Sequence, residues 1–172
     1  MKIKNARLVS DLHLGSDVIA EYRGFKASDT TTAADNFWYF YKTLHNSQVT
    51  YLTQPVFILG DIAIDKYWLS KLSELKGRLH LVLGNHDILP LDDYQEIVKP
   101  SGGSVNAMVM LPHEKIILSH IPVHPSFFGG NKSDWMNIHG HAHTEVIEDL
   151  HYSNVSFDQV QIQLNSQQLF RL

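Results

Sequence analysis

The chain has 172 residues, 44% of them hydrophobic and 19% charged, with a formal net charge of -4. These figures fit one compact domain with a real core and exclude long-range disorder, and a mildly acidic chain is a poor general binder of nucleic acid. The absence of cysteine excludes disulfides and thiolate metal sites, so any metal takes nitrogen and oxygen ligands, for which eleven histidines are available. The basic opening Met1-Lys2-Ile3-Lys4 leads into no apolar stretch of signal-peptide length, and no run approaches membrane-spanning length. The expected location is therefore the cytoplasm, with no membrane partner.

Leu8-Val9 reads as a short buried strand entering Ser10-Asp11. A polar segment with Gly24 follows, from Gly15 to about Thr32. Thr32 with Asp35 resembles a capping box for a helix whose apolar face is Ala33, Ala34, Phe37, Trp38, Tyr41 and Leu44. Val56-Phe57-Ile58-Leu59 is a continuous apolar strand that stops at Gly60-Asp61. Asp65 is placed to cap a helix facing inward through Trp68, Leu69, Leu72 and Leu75, with Gly77 ending it. Leu79 to Leu83 forms a third strand, stopping at Gly84-Asn85. The alternation indicates parallel βαβ units in a sheet covered on both faces. After Gly102-Gly103, Val105 to Leu111 and Lys115 to Leu118 read as strands joined by a turn at Pro112-His113-Glu114. A loop containing Pro122, Pro125 and Gly129-Gly130 precedes Trp135 to Ile138. From Tyr152 onward, Val155, Phe157, Val160, Ile162, Leu164 and Leu169 suggest mostly antiparallel strands. The expectation is a single α/β domain spanning 1–172, with a mixed or doubled sheet.

Five polar blocks each follow or end an apolar run: Asp11-Leu12-His13, Gly60-Asp61, Gly84-Asn85-His86-Asp87, Ser119-His120 and Gly140-His141-Ala142-His143. In open α/β sheets, ligands collect at the carboxyl ends of strands. Asp11 and His13 share a side of an extended chain and both can reach one ion. Asp61 can give one oxygen to each of two cations. Asn85 offers an amide oxygen, and His120, His141 and His143 offer imidazole nitrogens. The glycines before Asp61, Asn85 and His141 permit close backbone approach. Two divalent ions bring four positive charges, of which Asp11 and Asp61 remove two. The remainder attracts a phosphate group and stabilises charge developing on it. Adjacent cations of this kind hydrolyse phosphate esters, with a metal-bridging hydroxide as nucleophile.

In that order, the blocks resemble those of the calcineurin-like metallophosphoesterases, over Asp11 to His143. The resemblance implies a four-layer αββα sandwich, two mixed β-sheets flanked by helices. It implies one metal held by Asp11, His13, Asp61 and His143, and another held by Asp61, Asn85, His120 and His141. His86 is then not a ligand; the resemblance gives it the task of facing the phosphate and protonating the leaving alcohol oxygen. Asp87 orients neighbouring groups or caps a turn. The Ser/Thr protein phosphatases of this family extend Gly-Asp with a second Asp three residues on, then Arg. Here those positions are Ile64 and Asp65, which argues against protein phosphatase activity. The chain more closely resembles small, stand-alone bacterial and phage-type phosphoesterases, through Phe57 to Asp61, Gly84 to Asp87 and Tyr152 to Ser156.

Other residues have plainer readings. His45, His80, His113 and His151 are taken as structural or surface histidines, and Arg23 and Lys132, in loops that could lie near the site and contact phosphate, first as solvated charges. His124 and Phe127-Phe128 are loop residues that can also line a pocket. The expectation is a binuclear hydrolase of a small phosphodiester or nucleotide-type substrate. Its metals are two divalent transition ions, Mn before Fe, Zn, Ni or Co. The alternatives are a catalytically weak, metal-binding interaction scaffold on the same fold, or a nuclease.

Overall fold

The computed structural model describes residue 3 and residues 5–128 and 134–162. Strands β1 (Arg7–Val9), β2 (Pro55–Leu59), β3 (Arg78–Val82) and β4 (Ser104–Asn106) form a parallel sheet in that order. Parallel neighbours need crossover connections. Helices α1 (Asp17–Tyr22), α2 (Ala33–Gln48), α3 (Lys66–Ser70) and α4 (Leu91–Val98) lie in those connections. Strands β5 (Val109–Leu111), β6 (Ile116–Leu118), β7 (Met136–His139) and β8 (Tyr152–Asn154) form a second sheet, antiparallel at β5–β6 and parallel thereafter. The expected α/β two-sheet architecture is present, with one sheet wholly parallel and the other mixed.

Strand periodicity divides the core. Val56 and Ile58 of β2, with Leu79 and Leu81 of β3, face the helices and pack with Phe37, Trp38, Leu69, Leu72 and Tyr94. Phe57, Leu59 and Val82 face the other way, against Val109, Leu111, Leu118 and Ile138 of the second sheet. An unbroken apolar run thus suits a strand buried on both faces. The outer side of the second sheet carries the 119–128 segment, tied down by Asn137 accepting from the Val123 N–H and by Tyr152 donating to the Val123 carbonyl.

Both helix starts read from the sequence are present. Thr32 and Asp35 cap each other's backbone N–H groups at 3.1 Å, and Asp65 accepts from the Trp68 N–H at 2.9 Å. The second helix is shorter than expected, tightening after Ser70 into a 3₁₀ turn over Lys71–Glu74.

Two readings need correction, and two helices lie where no element is expected. The run 105–111 is two strands: the chain leaves the first sheet after Asn106 and enters the second at Val109. Over its described residues the tail is not antiparallel. Strand β8 pairs parallel with β7, and residues 157–162 form a helix, α5. Phe157 on it packs edge-on against Phe37, centroids 5.0 Å apart. Helix α1 lies inside the polar segment that begins at Gly15, capped by Ser16. Helix α4 went unread because it starts at Pro90 without a side-chain cap. Leu164, Leu169, Gly129-Gly130 and Lys132 lie outside the described residues. Among the described residues, no helix is long and apolar enough to cross a membrane.

Candidate metal centre

The carboxyl ends of both sheets meet at one edge. Asp11 follows β1, Asp61 follows β2 and Asn85 follows β3; from the second sheet, His120 follows β6, and His141 and His143 follow β7. Asp11, His13 and His143 form one group, and Asp61, His120 and His141 another, each with donor atoms within 4.8 Å of one another. Each group has the ligand types and spacing to hold a divalent ion.

Asp61 stands between the groups. Its Oδ2 is 3.7 Å from His13 Nε2, and its Oδ1 is 3.4 Å from His120 Nε2. The Asn85 Oδ1 lies 3.0 Å from the same His120 nitrogen. His120 Nδ1 donates to the Leu59 carbonyl at 2.8 Å, which aims Nε2 at the group. His13 Nε2 is buried and has no hydrogen-bond partner. An unpartnered imidazole nitrogen beside two carboxylates is suited to a cation, so the donor set fits a metal.

The chain reaches this geometry through unusual backbone. Asp11, His13, Asp61, His141 and His143 all have positive φ, from 45° to 67°. Close approach does the rest. A Cβ on Gly84 would lie 2.3 Å from Asp61 Oδ1, and one on Gly140 would lie 1.8 Å from Ser10 Oγ.

The electrostatics follow from burial and pairing. Burial opposes the charge on Asp61, but hydrogen bonds from His120 and the His86 N–H outweigh it and hold its pKa down at about 2. Burial lowers His13 to about 4, against the pull of Asp61 and Asp11. For His120, burial works against the charged ring, yet Asp61 raises its pKa above the usual value. His143 is raised chiefly by its hydrogen bond to Asp158.

The sequence matches the family model described as calcineurin-like phosphoesterase over residues 7–168. The chain belongs to the calcineurin-like phosphoesterase family. No curated protein matches it. Among solved structures, a protein of unknown function from Aquifex aeolicus is similar, with a TM-score of 0.62 and 16% identity, covering 95% of this chain and 98% of that one. A novel archaeal phosphodiesterase is similar at a TM-score of 0.51 and 14% identity, covering 88% of this chain and 81% of that one. At these identities the likeness is one of fold.

All seven side chains expected as ligands of this calcineurin-like phosphoesterase lie at the shared edge. His86 is exposed there, its ring centroid 5.7 Å from that of His13. Asp87 points the other way. Its carboxylate accepts from the backbone N–H groups of Asp61, Ile62 and Gly84 at 2.8–2.9 Å, joining two ligand loops. Burial raises its pKa despite those bonds.

His80 pairs with Ser104 and stacks on Phe57, and His45 bonds the Lys76 carbonyl, as structural histidines do. His113 is exposed, His151 sits beside Asp149, and His124 pairs with Ser126. The reading of Arg23 as a solvated charge is wrong: it is 7% exposed, bonded to Asp158 and to the carbonyls of Asp11 and Leu12. Ser156, so far only the end of the Tyr152–Ser156 run, donates to Asp11 Oδ2 at 2.7 Å, and Asp158 joins the site without having been singled out in the sequence. Their one sequence signal is two polar residues at i and i+2 among apolar neighbours.

Proposed function

We propose that this chain is a phosphodiesterase that hydrolyses small diesters, nucleotide-type ones included, with two divalent transition-metal ions, Mn²⁺ foremost. The carrying observation is Asp61, with one oxygen turned toward each donor group. Asp11, His13, Asp61 and His143 would hold one ion, and Asp61, Asn85, His120 and His141 the other. When bound, such a pair supplies a nucleophilic hydroxide near neutral pH and positive charge opposite the phosphoryl oxygens.

The chain's own groups do the rest. His86 lines an open cleft of about 470 Å³ with His13, His143, Ser16, Ile19, Ile64 and Ile88. From there its imidazole is placed to protonate the departing alkoxide. A second cleft of about 250 Å³ lies on the far side of Asn85 and His120, walled by Leu83, Ala107, Met108 and Ile121. Two clefts flanking one centre suit a phosphorus carrying two organic groups. Among the described residues, neither lining includes lysine or arginine, which suits the single negative charge of a diester better than the dianion of a monoester. The described archaeal phosphodiesterase of similar fold agrees with this reading. The complete donor set together with His86 favours an enzyme over an interaction scaffold.

The test is turnover by the Mn²⁺-loaded protein. Bis-p-nitrophenyl phosphate is expected to react with a kcat/KM at least about tenfold above that of p-nitrophenyl phosphate, a difference of ~1.4 kcal/mol in transition-state binding. EDTA is expected to abolish both. A preference for the monoester would overturn the diester assignment.

A further inference from the structure

We propose that Arg23 and Asp158 form a positioning pair that holds His143 in its ligating tautomer and fixes the Asp11 loop beside it. The proposal rests on the two-ion reading above and adds residues outside all five sequence blocks.

Asp158 is 5% exposed, and its Oδ2 lies 2.7 Å from His143 Nδ1. An ionised carboxylate only accepts hydrogen bonds, so Nδ1 carries the proton. In the neutral ring, Nε2 is then the free lone pair. That nitrogen lies 4.0 Å from Asp11 Oδ1, and the ring stacks on His13 with centroids 5.3 Å apart. The tautomer and the aim of the ring are therefore set from behind, by a carboxylate outside the donor set.

Arg23 sets Asp158 in turn. Its Nε and Nη2 donate to the two oxygens of that carboxylate at 2.8 and 3.0 Å. The same guanidinium donates from Nη1 to the Leu12 carbonyl at 2.9 Å and from Nη2 to the Asp11 carbonyl at 2.6 Å. One planar fork thus ties the loop after β1 to the start of α5. Its carbon sits 4.9 Å from the Phe37 centroid and 5.1 Å from the Phe157 centroid, in a wall that keeps water away. A lysine cannot make four bonds in this geometry. Carboxylates that orient metal-bound histidines are a general device, and removing one costs metal affinity about 10–100-fold.

The decisive variant is Asp158→Asn, which keeps shape and contact with Arg23. Its carboxamide has one acceptor oxygen where the carboxylate has two, so the Nδ1–H of His143 and the Nε–H and Nη2–H of Arg23 can no longer all be accepted and the hold on His143 loosens. Long-range ¹H–¹⁵N spectra of the EDTA-treated protein at pH 9 report the tautomer directly. The wild type is expected to show Nδ1–H. Calorimetric titration with Mn²⁺ is expected to show one of two sites weakened about 10–100-fold in the variant, the other nearly unchanged. Arg23→Lys is expected to weaken the same site and carries the binding test if Asp158→Asn does not fold. A wild-type Nε2–H tautomer, or two unaltered Mn²⁺ affinities in the variants, would overturn the proposal. A wild type that binds no pair of ions overturns the metal reading instead, while the tautomer still judges the positioning pair.

Discussion

Left-handed backbone is uncommon outside glycine, and each such residue stores strain of order 1–3 kcal/mol. Seven non-glycine residues among those described adopt it, and five are Asp11, His13, Asp61, His141 and His143. The strain is thus concentrated where side chains must turn toward a common point. His86 differs from these five in kind: it is exposed and lines the larger cleft. Replacing His86 with Ala is expected to leave Mn²⁺ content intact and to lower kcat about 10²–10⁴-fold on a diester with an alkyl leaving group. The loss on a nitrophenyl ester is expected to be smaller, because nitrophenolate departs without needing a proton. Equal losses on the two substrates, or loss of bound metal, would contradict the role given to His86. The histidines and aspartates of the five blocks were readable because their types and order carry ligand chemistry. Arg23 and Asp158 were not, because a charge that works from inside the core looks in sequence like any other charge.

Strand ends position these side chains, and glycines let the ends meet. Gly84 passes so close to Asp61 that a methyl group there would collide with both its carboxylate and its backbone N–H, at 2.3 and 2.6 Å. Gly84→Ala is therefore expected to displace Asp61, with a stability loss of about 1–3 kcal/mol in urea unfolding and loss of paired Mn²⁺ binding. Wild-type stability and stoichiometry in this variant would show that the two loops do not need that contact. Capped helices and uniformly apolar strands were legible from local chemistry, as Thr32, Asp65 and the Val56–Leu59 run illustrate. The split of 105–111 was not, since both halves are apolar enough for either sheet. Phe157 continues a strand alternation from Val155 as readily as it makes a helical i, i+3 pair with Val160, and the aromatic contact with Phe37 goes with the helix.

The molecule as a whole brings two sheets to one edge, and the ionisation of that edge depends on what it holds. His120 and His143 have pKa values raised above the usual value of 6.5, whereas His13 is lowered to about 4. In the metal-free protein, a raised value means that a proton competes with the ion at and above pH 6.5. A lowered value means that His13 stays neutral down to about pH 4. Mn²⁺ affinity is therefore expected to fall as pH drops from 8 through 6, with protons taken up by His120 and His143. Calorimetry in buffers of different ionisation enthalpy counts the protons released on binding. An affinity that stays flat from pH 8 to pH 5 would exclude ligation by those two imidazoles.

The most direct measurement is anomalous diffraction from a crystal grown with Mn²⁺. Two peaks flanking Asp61 are expected, one among Asp11, His13 and His143, the other among Asn85, His120 and His141. A single peak, or manganese bound away from Asp61, would contradict the paired centre on which the phosphodiesterase reading depends.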